Sequence, residues 1–338
     1  MTKMMSNLSR DLAEEVLSRV PVTSLRRVRS TCKKWNTISK NHFFKKKHLG
    51  RQAKLATKER EFMVVMIMDL RVYLMSVNLH NDVESCINRQ GKLIGLDDSD
   101  EVDVAQVIHC DGLLLCITKD YNKLMVWNPY LGQTRWIKVW NPYWEQTPPW
   151  NKYVHTFNGF DLYSYALGYD KSIKSFKILI FIDYYAYPTY TFVEYKIYDF
   201  NSDSWRVLDV TPDWTIHYYD HGISLKGNTY WFARQKKLLG DVAFLISFDF
   251  TSERFGPRLP VPFEFEWYWE AIVSLCSVRE EQLAVLFQRW DTKMLEIWIT
   301  TKIEPDAVSW NSKVFLAVNM RPLMNFGFQF LLTHFSAT

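Results

Sequence analysis

The feature that most restricts the fold of this chain is a β-hairpin pattern that recurs about every 50 residues. In each copy, an alternating strand leads through a polar turn to a second strand with an aromatic side chain, a pattern typical of antiparallel hairpins. The clearest copies cover 126–137, 195–208, 246–255 and 295–310, and a weaker copy covers 72–79. We expect a longer loop between the two strands of the 295–310 copy.

The spacing of these copies predicts the architecture. Taking Leu79, Trp127, Tyr198, Phe248 and Trp298 as reference positions, the separations are 48, 71, 50 and 50 residues. A period near 50 with several strands per unit is typical of a β-propeller with blades of kelch-like size. Further strand candidates at 109–116, 176–182, 227–233 and 282–287 give three to four strands per unit. We therefore predict an all-β, propeller-like domain whose sheets stack on their neighbours, with an insertion inside 139–161.

The amino-terminal part has a different, helical periodicity. Ser9 is a suitable N-cap, and Leu12, Val16 and Val20 repeat every four residues until Pro21 ends the helix. We predict a second helix that begins at Thr23 or Ser24 and has Leu25, Val28, Cys32 and Trp35 on its apolar face. In a short third element after it, Ile38, Phe43 and Phe44 are predicted to face inward.

A unit of roughly forty residues rarely buries enough surface to be stable alone. These three helices therefore need cover from the rest of the chain or from another protein. One alternative interpretation is that the three helices form an ordinary cap on the following domain. A DNA-binding helix-turn-helix fits poorly, because the connection at Val20, Pro21 and Val22 is wrong for it.

The helical segment from Leu8 to His48 resembles an F-box. The resemblance is carried in order and spacing by Leu8, Asp11, Leu12, Glu15, Val16, Leu17, Arg19, Val20, Pro21, Ser24, Leu25, Val28, Arg29, Cys32, Lys33 and Trp35. One position departs from the family, which usually has proline where this chain has Ser9. The resemblance implies docking to a Skp-type adaptor, which bridges to a cullin ubiquitin ligase. The residues it implies as contacts, or as supports of the contact face, are Leu8, Leu12, Leu17, Pro21, Leu25, Val28 and Trp35.

The region from about Cys110 to Asn319 resembles the plant F-box-associated domain, type 1. The matching motifs lie at 110–116, 126–129 and 132–137, and the resemblance implies a propeller-like module that binds a protein substrate. The family pattern is hard to follow in 321–338. We expect a multidomain chain, with a small all-α, three-helix F-box domain at 1–48, a linker at 49–61 and an all-β propeller-like domain at 62–338.

Charge and cysteine content place limits on the partners and the compartment. Residues 1–60 contain 16 Lys/Arg and 4 Asp/Glu, and the remainder contains 25 and 33. This basic segment suits an acidic protein partner, with nucleic acid as the alternative. The five cysteines form no C-x-x-C pair, and no signal peptide or membrane span is seen. We expect the cytoplasm or the nucleus, with neither nucleic acid nor membrane as a partner.

No motif predicts catalysis, a cofactor or a metal site. G-x-S-x-G, P-loop, HExxH and dinucleotide fingerprints are absent. Cys110 and Cys116 are six apart, which predicts one strand face, and two core thiols are favoured over a zinc pair. Asp111 and Gly112 are expected to form a hairpin turn or bulge.

The insertion is rich in aromatic residues and proline, which suits either a recognition loop or cover for the propeller edge. We assign substrate contact to Trp140, Tyr143, Trp144 and Trp150. The expected function is therefore a non-catalytic substrate-recognition subunit of a Skp–cullin–F-box ubiquitin ligase. A degenerate or non-ligase interaction module, a nucleic-acid binder and a propeller hydrolase are the alternatives.

Overall fold

The computed structural model of the chain describes most of the amino-terminal helical region and most of the β-rich region that follows it. The residues it describes are 8–20, 22–41, 43–45, 47–48, 50–51, 61–68, 70–78, 86–92, 102–119, 123–139, 163–186, 190–217, 220–236, 243–263, 271–278, 281–289, 291–292, 294–311 and 314–316.

Three helices open the described chain: α1 (Arg10–Ser18), α2 (Val22–Arg29) and α3 (Lys33–Lys40). Ser9 caps α1 as predicted, because its hydroxyl accepts a hydrogen bond from the Leu12 amide at 3.3 Å. The prediction of one helix from Leu25 to Trp35 is wrong, since α2 ends at Arg29. The Ser30 and Thr31 hydroxyls donate to the carbonyls of Arg27 and Val28, and Cys32 is extended before α3 begins.

The predicted start of the second helix and one inward residue also need correction. Helix α2 begins at Val22, ahead of the expected caps Thr23 and Ser24. Phe43 is 81% exposed, although Phe44 beside it is buried. Neighbouring positions on a helical turn point about 100° apart, so both rings cannot face one small core.

Five antiparallel sheets follow within the described residues. The first contains β1 (Glu61–Met68), β2 (Arg71–Asn78) and β3 (Cys86–Lys92). The second contains β4 (Val104–Cys110), β5 (Leu113–Thr118), β6 (Lys123–Asn128) and β7 (Gln133–Lys138). The third contains β8 (Tyr163–Asp170), β9 (Ser175–Ala186), β10 (Tyr190–Asp199) and β11 (Ser204–Leu208).

The last two sheets have five strands each. The fourth contains β12 (Trp214–Thr215), β13 (Ile223–Leu225), β14 (Asn228–Gln235), β15 (Ala243–Asp249) and β16 (Arg254–Phe255). The fifth contains β17 (Ala271–Val278), β18 (Gln282–Arg289), β19 (Leu295–Glu304), β20 (Ala307–Trp310) and β21 (Val314–Leu316). Every strand pair is antiparallel, as a chain of hairpins requires.

The core lies between neighbouring sheets, as the repeat predicts. Separate apolar clusters join the first sheet to the second, the second to the third, the third to the fourth and the fourth to the fifth. In the third of these, the Phe181 ring meets Trp231 edge-on, with centroids 5.6 Å apart. Consecutive sheets that bury both faces in this way give a propeller-like, all-β fold after the short helices.

The hairpins predicted at 126–137, 195–208 and 246–255 are confirmed as the pairs β6–β7, β10–β11 and β15–β16. The prediction of a long loop inside the hairpin at 295–310 is wrong. Strand β19 continues to Glu304, and only Pro305 and Asp306 separate it from β20.

The predicted Asp111–Gly112 turn is confirmed. Because of it, the prediction that Cys110 and Cys116 lie on one face of one strand is wrong. Asp111 and Gly112 have positive φ, 46° and 77°, and they form a two-residue connection between β4 and β5. Cys110 and Cys116 therefore lie on different strands. Cys110 packs between the second and third sheets, and Cys116 packs between the first and second.

Candidate functional site

Helix α1 has two apolar stripes, and only one of them is used by the fold. Ala13 and Leu17 are fully buried in the helical core. Leu12 and Val16 lie one turn apart and are 56% and 42% exposed. One surface ion pair, Arg19 with Glu15 at 3.0 Å, lies beside this stripe. A second pair, Arg10 with Glu14 at 3.1 Å, lies on the other side of the helix. The exposed pair is apolar surface that the described parts of the chain leave uncovered.

The structure separates the predicted adaptor residues into exposed and supporting ones. Leu17, Leu25 and Trp35 are buried in the helical core, and Leu8 and Val28 pack partly buried against it. Leu12 is the member of the set with a large exposed side chain, and Pro21 lies outside the described residues. Their assignment to adaptor docking stays a prediction, in which the buried members support the face that carries Leu12.

Two exposed residues, Val16 and Phe43, are missing from that predicted set. Val16 could have been found from the sequence, because it follows Leu12 by four residues and so lies on the same helical face. Phe43 could not, because the position of its ring depends on the turn at Asn41. The Asn41 side-chain oxygen accepts the amide hydrogens of Phe43 at 2.9 Å and of Phe44 at 3.3 Å.

The helical core also contains residues of the β domain. Tyr130 and Leu131, from the turn between β6 and β7, pack with Leu17, Leu25 and Trp35. Tyr130 is only 5% exposed. The helices are therefore covered in part by their own chain, as their small size requires.

This contact defines two faces of the β domain. We call the face with the β4–β5, β6–β7 and β8–β9 turns the near face, because the helices pack on it at Tyr130. Strand direction alternates within each sheet, so the β5–β6 and β7–β8 connections emerge on the opposite, far face. The starts of β12 and β13 and the end of β14 belong to the far face as well, since the β13–β14 turn at Gly227 lies beside Tyr169 of the near face.

The predicted substrate loop starts and ends on the far face. Strand β7 ends there at Lys138, and β8 begins there at Tyr163. Trp136 on β7 is 44% exposed near this exit. The four assigned contacts Trp140, Tyr143, Trp144 and Trp150 lie outside the described residues, so their assignment stays a prediction.

A polar cluster lies on the described part of the far face. The Gln106 side-chain amide contacts His221 Nδ1 at 3.1 Å, which links β4 to the segment before β13. Asp220 lies 3.5 Å from Arg234 on β14. Burial raises the pKa of Asp220 to about 6, against the opposing effect of Arg234, and burial lowers the pKa of His217 to about 4. At neutral pH the cluster contains one largely buried ion pair and neutral imidazole.

Within the described residues, no group of three or more His, Cys, Asp or Glu side chains could hold a metal ion. In the same part of the chain, no helix combines the length and apolar character needed to cross a membrane.

Comparison with known protein families matches residues 5–47 to the F-box domain. Residues 63–336 match the F-box associated beta propeller domain. The chain belongs to the F-box family with an F-box-associated β-propeller. As a class, F-box domains bind Skp-type adaptors, and an F-box followed by this propeller indicates a substrate-recognition protein.

Similar proteins from Arabidopsis thaliana cover nearly the whole of this F-box protein. The protein At3g24580 is 58% identical and aligns with 97% of this chain and 82% of its own length. "F-box protein At3g19470" is 54% identical over 96% of this chain and 83% of its own. "F-box/kelch-repeat protein At3g16740" is 53% identical over 96% of this chain and 81% of its own.

Proposed function

We propose that this F-box protein is a substrate-recognition subunit of a Skp–cullin–F-box ubiquitin ligase. The observation that carries the proposal is the exposed Leu12–Val16 stripe on α1, inside the segment that matches the F-box domain. Apolar side chains that stay exposed side by side are typical of a partner interface. A Skp-type adaptor covers this stripe, and a cullin joins through the adaptor.

The far face receives the target protein. It lies opposite the helices, and it carries the attachment points of the aromatic-rich insertion. Aromatic side chains provide large contact areas at low conformational cost, which suits recognition of a protein surface. The target and the adaptor then occupy opposite sides of the molecule and do not compete for space.

The chain contributes proximity and carries out no bond chemistry of its own. A target held on the propeller presents its lysines to the ubiquitin thioester at a high effective concentration. The protein works in the cytoplasm, the nucleus or both, where ubiquitin ligases of this type find their targets.

The test replaces the exposed stripe with charge. Leu12→Asp together with Val16→Asp should weaken binding of a purified Skp-type adaptor by about 30-fold or more, the size expected for losing an interface hot spot. The fold should survive, because both side chains point away from the helical core. Calorimetry measures the affinity, and far-ultraviolet circular dichroism measures the helical content.

The matched control is Val207→Asp, at an exposed apolar position on β11 that is 66% exposed. It should bind the adaptor like the unaltered chain. Equal adaptor affinity in the double variant and the control would contradict the docking assignment. Binding of nucleic acid, with a steep dependence on salt and no adaptor binding, would favour the basic-segment alternative.

A further inference from the structure

Arg29 is a buried cation that joins the helices to the propeller. Only 7% of the surface of this residue is exposed to solvent. One terminal nitrogen donates to the main-chain carbonyl of Tyr130, and Nε donates to the Ser39 hydroxyl at 2.8 Å. Ser39 in turn donates to the Asn36 carbonyl at 3.1 Å. A single guanidinium therefore connects α2, α3 and the β6–β7 turn.

Side chains of the helical region surround the Tyr130 ring. The Arg29 guanidinium carbon lies 4.7 Å from the ring centroid, and the Lys45 amine lies 5.7 Å from it. His48 meets the ring edge-on at 5.7 Å and is itself stacked on Phe44 at 5.6 Å. Burial raises the pKa of Tyr130 to about 12, so the ring is neutral and the attraction is of the cation–π type.

A buried charge is costly unless its donors are satisfied. Here a carbonyl and a hydroxyl accept hydrogen bonds from two of the three guanidinium nitrogens, and the Tyr130 ring lies over the group. The third nitrogen, Nη2, is buried without a hydrogen-bond partner among the described residues. Lysine could not replace arginine, because only the planar fork directs several donors in fixed, different directions at once. The arrangement therefore gives the helices one orientation on the near face, in addition to apolar cover.

We propose that Arg29, acting through Tyr130, is a positioning residue of the ligase. It holds the adaptor-docking stripe on α1 at one distance and angle from the far face, so that a bound target meets the ubiquitin donor in one geometry. The inference rests on the proposed function, because the orientation matters only if the two surfaces hold two different proteins. Small errors in the placement of reacting groups cost large factors in rate.

The test measures the orientation directly in the full chain bound to a Skp-type adaptor. Spin labels are placed through unnatural amino acids at Lys40 on α3 and Lys119 on the far face, both exposed. Pulsed electron paramagnetic resonance should give a single distance for the unaltered chain. Arg29→Ala and Arg29→Lys should lose that single distance and give a broad distribution, with adaptor affinity unchanged.

Three further variants make the test specific. Tyr130→Phe keeps the ring and the main-chain carbonyl and should behave like the unaltered chain. Tyr130→Ala, which leaves the helical sequence intact, should give the broad distribution. Arg27→Ala removes an exposed cation from the same helix and should change nothing.

A single, unchanged distance in Arg29→Ala and Tyr130→Ala would overturn the proposal. Loss of adaptor binding in both variants would also overturn it, because the contact would then only maintain the helical core. Failure of the proposed function is seen separately. If the unaltered chain does not bind the adaptor, the distances in the free chain still report whether Arg29 fixes the joint.

Discussion

Lys177 shows how single residues hold neighbouring sheets together. Its amine lies 2.5 Å from Asp170 and 2.7 Å from Glu253, and it also donates to the Phe250 carbonyl at 3.2 Å. Lys177 and Asp170 belong to the third sheet, whereas Phe250 and Glu253 form the turn after β15 of the fourth. Burial alone would raise the pKa of Asp170, but Lys177 and Ser172 lower it to about 2, so the carboxylate stays ionised.

Replacing Lys177 with methionine should lower the free energy of unfolding by about 3–5 kcal/mol, because Asp170 is left buried with no cation beside it. Urea unfolding measures the change. The same substitution at Lys302, whose pair with Glu304 is exposed, should cost only about 0–1 kcal/mol. Equal losses in the two variants would show that the buried pair does not stabilise the joint between sheets.

At the scale of the element, α1 depends on its cap because it is only nine residues long. Ser9→Ala removes the acceptor for the Leu12 amide and should destabilise α1 by about 1 kcal/mol. Hydrogen exchange at Leu12 should quicken, and Ser9→Asp, which restores an acceptor, should slow it again. Unchanged exchange in Ser9→Ala would mean that packing alone sets the start of the helix.

The local elements could be predicted from the sequence because their signals are local. Asp111 and Gly112 are residue types that tolerate positive φ, so they predict a turn. Ser9 has a hydroxyl three residues before Leu12, so it predicts a cap that accepts a hydrogen bond from the Leu12 amide. The break between α2 and α3 was missed. Helical spacing continues through Cys32, and nothing in that spacing reveals that Ser30 and Thr31 bind the carbonyls of α2.

The contacts between distant residues could not be predicted. Arg29 and Tyr130 are 101 positions apart, and an arginine on a basic helix gives no sign that it will be buried. The exposed stripe was predicted in part, since the F-box resemblance named Leu12 as an adaptor contact. Its limits came from packing, which buries Leu17 and Leu25 and leaves Val16 outside.

At the scale of the whole molecule, the topology separates two surfaces. The helices pack on the near face through Tyr130, and the attachment points of the aromatic-rich insertion lie on the far face. An alternating hairpin chain guarantees this, because successive connections emerge at opposite ends of a sheet. A protein built in this way can hold two partners at once, which is the requirement for bringing a target to a ligase.

The most direct test of this account is hydrogen–deuterium exchange of the full chain with and without a purified Skp-type adaptor. The account predicts slower exchange in α1 (Arg10–Ser18) when the adaptor is present, and unchanged exchange in the far-face segments 102–106 and 233–236. Protection of the far face, or no protection of α1, would contradict it.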